Sequence, residues 1–378
     1  MDKGGVNMSF AYAHSNIGQW MEAVQDCVRQ LQPVSATANL GFVYVTDLYA
    51  NRLSDMLAQL REQTGIAQWV GSVGIGVCVT GHEYLDESAI VVMLGEFPDN
   101  AFRVFAPVTD VARVAEELDG FTVHGQAAYY ALVHGDARNA EIPELIEATA
   151  AGMATGFITG GISSSRFQSL QVADEVVHGG LSGVMFTEAV AVMTRLTQGV
   201  TPIGPRHAVT ACHENILITL DNRPALDVLY EDIGEILARD LSRAAGYIFA
   251  ALSIPGCDSR DYLVRNLIGA DTTERLVAIS EEIPAAAEVL FCRRDAGAAQ
   301  ADMLAMLEDL QGRLTTQPRG AVYYSCLGRG ESLFGAKSAE LELIQQVLGD
   351  VPLVGFFANG EISHDRLYGY TGVLTLFL

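Results

Sequence analysis

Three stretches of this chain repeat one arrangement: an apolar strand, a polar turn, an amphipathic helix, and a second apolar strand that ends at glycine. In the first stretch, residues 41–46 are β-branched and aromatic, Leu53, Met56, Leu57 and Leu60 fall on one helical stripe, and 68–80 return as a Gly-rich strand. In the second, the strand is 128–133, the stripe Ile142, Leu145 and Ile146, and the return 157–161. In the third, the strand is 321–326, the stripe Leu341, Ile344, Val347 and Leu348, and the return closes on Val354-Gly355-Phe356-Phe357-Ala358-Asn359-Gly360-Glu361-Ile362. A further apolar strand follows each, at 89–94, 181–186 and 373–378. Roughly 30 residues separate the first strand from its return, the length of one β-α-β module. The pattern predicts an α/β fold with mixed sheets, in two lobes built from repeated β-α-β-β units. It also makes the loops after these strands the expected binding positions.

The rest of the chain reads differently. Ile17, Trp20, Met21, Val24, Val28 and Leu31 lie at helical spacing. Between the second and third repeats come a hairpin at 209–220, a helix at 225–241, strands at 262–268, 276–279 and 289–292, and a helix at 298–314. A boundary at Pro224 divides this organisation into an N-terminal helical segment, 1–37, and two domains, 38–224 and 225–378.

Composition narrows the function. Hydrophobic residues make up 49% and charged ones 18%, enough apolar material for large cores in 378 residues. With 46 acidic against 23 basic side chains, the formal charge of −23 opposes phosphate backbones and anionic lipid, so neither nucleic acid nor membrane is an expected partner. No apolar run reaches the ~18 residues of a membrane span, and the start lacks the charged-then-apolar plan of a signal peptide. Cysteines 27, 78, 212, 257, 292 and 326 are scattered singly, which points to reduced thiols and a cytoplasmic location.

The strand-end loops hold the chemistry. Cys326 ends a strand beside Arg329, and His364 follows the paired strand, the parts of a Cys-His hydrolase; the plainer reading is a packed thiol. Arg329 and Glu361 lie in neighbouring loops, with Asn359 two residues before Glu361. The pair suits a zwitterion, guanidinium to carboxylate and Glu361 to ammonium, or else a structural ion pair. Gly160-Gly161-Ile162-Ser163-Ser164-Ser165-Arg166 offers backbone N–H groups, the Ser163 hydroxyl and the Arg166 cation to an anion, or is simply a tight turn. Gly71-Ser72-Val73-Gly74-Ile75-Gly76 runs on into a strand where a dinucleotide fingerprint requires a helix, so that motif is rejected. His82, His178 and His364 each follow the second strand of a repeat. Cys212-His213 lacks partners at zinc spacing.

These features together resemble the FIST sensory domain family over nearly the whole chain. The closing pattern is the most specific part: Ser325-Cys326 with Gly328-Arg329-Gly330, Phe334-Gly335, Pro352-Leu353-Val354-Gly355-Phe356-Phe357 and Gly360-Glu361-Ile362. Gly160-Gly161, Gly179-Gly180-Leu181-Ser182-Gly183 and Val209-Thr210 match in the N-terminal half. The resemblance implies an intracellular small-ligand sensor rather than an enzyme. Its output would pass to a separate histidine kinase or cyclic-di-GMP signalling enzyme, with a homodimer as a further expectation. Cys326, Arg329, Asn359, Glu361, Ser163 and Arg166 would contact the ligand. One branch of the family implies haem b and nitric oxide sensing, with His178, His82 or His364 as the iron ligand. The alternatives are an amino-acid or other metabolite sensor and a cysteine-dependent hydrolase.

Overall fold

A computed structural model describes residues 9–238, 247–254, 262–284 and 286–378. It is a mixed α/β structure in two compact units, one of residues up to Gln198 together with Asp302–Leu378, the other Gly199–Ala301. The position Pro224 falls inside the second unit.

The first unit contains all three repeats, each as a six-stranded sheet. At its centre is a parallel pair joined by a helix: Leu40–Thr46 with Gln68–Gly74, Tyr130–Gly135 with Ile158–Ile162, and Gly320–Cys326 with Leu353–Ala358. The antiparallel strands Ile90–Gly95, Leu181–Phe186 and Thr371–Phe377 flank these pairs. Outside them lie Phe10–Ser15, Phe102–Val108 and Val192–Gln198. Thus the segment before residue 38 carries a strand as well as its expected helix, Trp20–Leu31.

The remaining two positions in each sheet are filled by an exchanged hairpin. The run 68–80 reads as one strand, yet it breaks at Ile75, and its continuation Gly76–Val79 pairs with Leu353–Ala358 in the third repeat's sheet. Gln171–Ala173 returns to the first repeat's sheet, and Glu361–His364 joins the second. Each repeat therefore completes a neighbour, and the three form a closed ring.

Inner faces of the sheets share one core, in which Phe42 and Tyr44 meet Tyr130 and Leu132, and Tyr324, Phe356 and Phe377. Outer faces bury against helices: Leu53, Met56, Leu57 and Leu60 cover the first sheet, and Ile142, Leu145 and Ile146 the second. Burial on both faces explains why these strands read as continuous apolar runs instead of alternating ones. At one matched register position the core is polar. Tyr44 OH lies 3.0 Å from Tyr324 OH and 3.1 Å from Nε2 of His134, whose pKa burial pulls down to about 3, so its imidazole stays neutral.

Each parallel pair also makes one close approach. A methyl group at Gly71, Gly160 or Gly355 would sit 1.7, 1.9 or 1.7 Å from the carbonyl oxygen of Val43, Val133 or Tyr323. The obstacle is backbone, which cannot swing aside. Gly355→Ala is expected to cost roughly 3 kcal/mol or more, above the usual range for a point change; a urea midpoint close to wild type would disprove the clash.

Along the chain, the second unit is inserted between Val192–Gln198 and Gly320–Cys326, two strands of the third repeat's sheet. Its antiparallel strands His207–His213, Ile216–Leu220, Leu276–Ile279, Tyr262–Asp271, Ile248–Ser253 and Glu288–Arg294 pair in that order, and the last also pairs with the first. The sheet closes on itself as a small barrel. Leu226, Leu229 and Ile233 of the helix Ala225–Ala238 share its core with Ile248, Val289 and Phe291. The part of the expected 225–241 helix beyond residue 238 lies outside the described residues, as does Cys257.

Candidate ligand site at the third repeat

The strand Gly320–Cys326 ends where Arg329 N–H donates to the Cys326 carbonyl at 2.8 Å, folding the loop back under itself. Gly330 makes that turn at φ 57° and ψ −148°, and a Cβ there would lie 2.9 Å from the Phe357 ring. The fold-back carries the Arg329 side chain inward, to 0% side-chain exposure. Its Nε donates to Glu340 Oε1 at 2.7 Å, its Nη2 faces Met303 Sδ at 3.9 Å, and its Cζ stands 5.1 Å over the Phe334 ring. Glu340 also accepts from Tyr323 OH at 2.5 Å, Ser325 Oγ at 2.9 Å and Gly330 N at 3.3 Å. Burial alone would lower Arg329, but the Glu340 carboxylate reverses the effect and keeps the guanidinium charged. The sequence paired Arg329 with Glu361; its ion-pair partner is Glu340.

Glu361 opens the exchanged hairpin strand opposite Gly161 and is fully buried. Its Oε2 accepts from Thr371 N at 3.1 Å and Thr371 Oγ1 at 2.8 Å. Burial pushes its pKa up to about 8, although the Thr371 hydrogen bonds, the Arg329 charge and the neighbouring Cys326 thiol pull the other way. Burial, then the Glu361 charge, pushes the half-buried Cys326 thiol up to about 12, so it is not a thiolate. Glu83 flanks the same loop: its Oε1 accepts from Glu331 N, and burial, with the Glu340 charge adding, raises it to about 7.

Three buried atoms around this loop have no hydrogen-bond partner: Arg329 Nη1, Glu361 Oε1 and Glu83 Oε2. The matched positions of the other repeats differ. Gln171, opposite Ser72 as Glu361 is opposite Gly161, donates through Nε2 to the Gly180 carbonyl at 3.0 Å and accepts from Ser182 Oγ at 2.6 Å. Where the second repeat has Ser182 the third has Val373, since these residues pair with His134 and Tyr324, so Glu361 Oε1 has no hydroxyl to meet. In the first repeat the position is Val77, opposite Phe356.

The other expected site residues scatter. Ser163 Oγ pairs with Ser72 Oγ at 2.8 Å, and Asn359 is exposed, with its N–H on the Ile162 carbonyl; both lie at the strand ends near Glu361. Ser164 bridges all three return strands there, its Oγ accepting from Ile75 N, its N–H bonding the Val73 carbonyl and its hydroxyl donating to the Phe357 carbonyl. Arg166 turns to Asp47 at 2.7 Å and Asp86 at 2.8 Å, and holds the Asp47 carboxyl below its ordinary range against the effect of burial. His82 lies 3.3 Å from Ser338 Oγ and packs edge-on against Tyr84. His178 is exposed after the strand Glu175–Val177. His364 is exposed at the far end of the Glu361 hairpin, edge-on to Phe157 at 4.2 Å. The three histidines do not converge, and no group of three His, Cys, Asp or Glu side chains among the described residues is placed to hold a metal.

Glu340, Glu83, Thr371 and Phe334 were missed in the sequence. Glu340 left a signal, being in register i, i+4, i+8 with the buried Ile344 and Leu348, so a carboxylate had to enter the core.

The FIST N domain matches residues 39–223 and the FIST C domain residues 225–364. An uncharacterized protein of Mycobacterium tuberculosis is 30% identical over 348 residues, covering 87% of this chain and 88% of its own. An uncharacterized Mycobacterium bovis protein is 28% identical over the same shares. Among solved structures, a cyanuric acid hydrolase from A. caulinodans aligns over 98% of this chain and 99% of its own at 8% identity, with a TM-score of 0.38. Among the described residues no helix is long and apolar enough to cross a membrane. With both domain families matched in order along the chain, the protein belongs to the FIST family.

Proposed function

We propose that this chain is the small-ligand receptor of a signalling system and holds its ligand at the Cys326–Arg329–Glu361 end of the third repeat. FIST domains are small-ligand sensory domains in signalling. The observation that carries the choice of site is the pair of unpartnered polar atoms, Arg329 Nη1 and Glu361 Oε1, on fully buried side chains beside Cys326. Leaving such groups unmade costs about 1–3 kcal/mol each, which a ligand offering one acceptor and one further polar group recovers. In the second repeat Gln171 is satisfied at both ends and has no comparable bond left to make. Output passes to a separate partner of the histidine kinase or cyclic-di-GMP enzyme class.

Thermal-shift screening of small metabolites against the full chain tests the site. A compound at 100 times its Kd stabilises by about 2.7 kcal/mol, and Glu361→Leu is expected to abolish the shift while leaving the fold intact. An undiminished shift in that variant would move the site elsewhere. Haem lacks comparable support, because His178 and His364 are exposed on separate hairpins and His82 is held by Ser338 and Tyr84. A sharp Soret band on adding haemin would restore it. The hydrolase reading is weakened by a thiol held protonated by burial and by Glu361.

A further inference from the structure

We propose that His207 is a proton-operated latch that fastens the helix Ala225–Ala238 to the barrel of the second unit. His207 opens the strand His207–His213 and is buried, with a side-chain exposure of 10%. Its Nδ1 lies 2.6 Å from Asp221 Oδ2, in the turn that ends the neighbouring strand, and its Nε2 lies 3.0 Å from Asp232 Oδ2, on the helix. An ionised carboxylate only accepts, so an imidazole bonded to two of them must carry both ring protons. The closed arrangement is therefore imidazolium between two carboxylates.

The two partners differ. Asp221 is half exposed, at 47%, and Oδ1 also accepts from Ala208 N, so water and backbone can replace the ring. Asp232 is 9% exposed, and Gly204 presses so closely that a Cβ there would sit 2.3 Å from the carboxyl carbon. When His207 loses a proton, one ring nitrogen presents a lone pair to a carboxylate. If that carboxylate is Asp232, water cannot replace the lost bond unless the helix moves. A break in the helix lies two residues on, at Gly234 (φ 76°, ψ 164°), where the turn carrying Asp232 ends. Among the described residues, the charged groups facing the cluster are Arg223 beside Asp221, with Glu231 on the helix bonded to Arg223, and Arg206 and Glu288 paired next to the strand start. Phe291 faces the ring without charge.

The two carboxylates raise His207 above its ordinary value of 6.5, against the effect of burial. A raised histidine contributes stability that is fully present below roughly 6.5 and is lost as the pH rises through the folded-state value. The latch is thus shut in acid and opens on the alkaline side.

Hydrogen exchange of the full chain tests this, with histidine side-chain NMR to follow His207 directly. Amide protection over residues 229–234 is expected to fall at least tenfold across the His207 titration, relative to the barrel strand Ile248–Ser253 as internal control. Asp232→Asn presents an amide that a neutral imidazole can bond, so the fall is expected to vanish in that variant. Protection unchanged across the titration in wild type, an equal fall in Asp232→Asn, or a His207 that titrates at or below 6.5 would each overturn the latch. Should Asp232→Asn fail to fold, the wild-type exchange and NMR results decide alone.

Discussion

Arg329→Met is expected to destabilise the protein by about 3–5 kcal/mol, measured by urea unfolding of the full chain. The reason is the company Glu340 would be left in. Its carboxylate is fully buried, and without the guanidinium it keeps the donors Tyr323, Ser325 and Gly330 but no positive charge. An uncompensated buried charge is far more costly than a missing ion pair. The double change Arg329→Met with Glu340→Leu removes both charges and is therefore expected to recover most of the loss. A single variant within about 1 kcal/mol of wild type would mean that Glu340 is protonated or hydrated in the folded state.

Glu361→Gln is expected to act in the opposite direction, and only at high pH. The folded-state pKa of about 8 stands above the ordinary 4.5, so the folded protein binds the proton more tightly than the unfolded chain. The resulting stability is complete below about 4.5 and is lost as the pH rises through 8. A tenfold difference in proton affinity corresponds to about 1.4 kcal/mol, so the loss by pH 9 is on the order of a few kcal/mol. Glutamine keeps an acceptor for Thr371 and never ionises. The variant should match wild type near pH 5 and exceed it by a few kcal/mol at pH 9. Glu83, raised to about 7, gives wild type a second decline of the same sign that the variant retains, so the slope should shrink without vanishing. Identical pH profiles for the two proteins would place the Glu361 carboxyl in water.

The sequence carried the local units well, because their signals are local. Leu53, Met56, Leu57 and Leu60, or Leu341, Ile344 and Leu348, repeat at helical spacing and bury as the stripe demands. The parallel pairs also follow, since a strand, a helix and a strand within roughly 30 residues have few other ways to pack. The exchange of hairpins left no such mark. Residues 68–80 are apolar on both sides of Ile75, and the break there is held by Ser164 Oγ from another repeat. Arg329 illustrates the same limit at the site. Its loop placed it near both Glu340 and Glu361, and only the fold-back at Gly330 decides which carboxylate it meets. The histidines were legible as residues after strands, but their surroundings were not: His178 and His364 are exposed, and His82 packs against Ser338 and Tyr84.

The borrowed hairpins also set the order in which this protein can be made. Gly76–Val79 is synthesised well before its partner strand, which contains Phe356. Until then the first repeat presents an open apolar edge, while Gly199–Ala301 has all its own barrel strands and can finish independently. A nascent chain of this design must shelter an unfinished edge until that strand arrives, a demand that chaperones commonly meet.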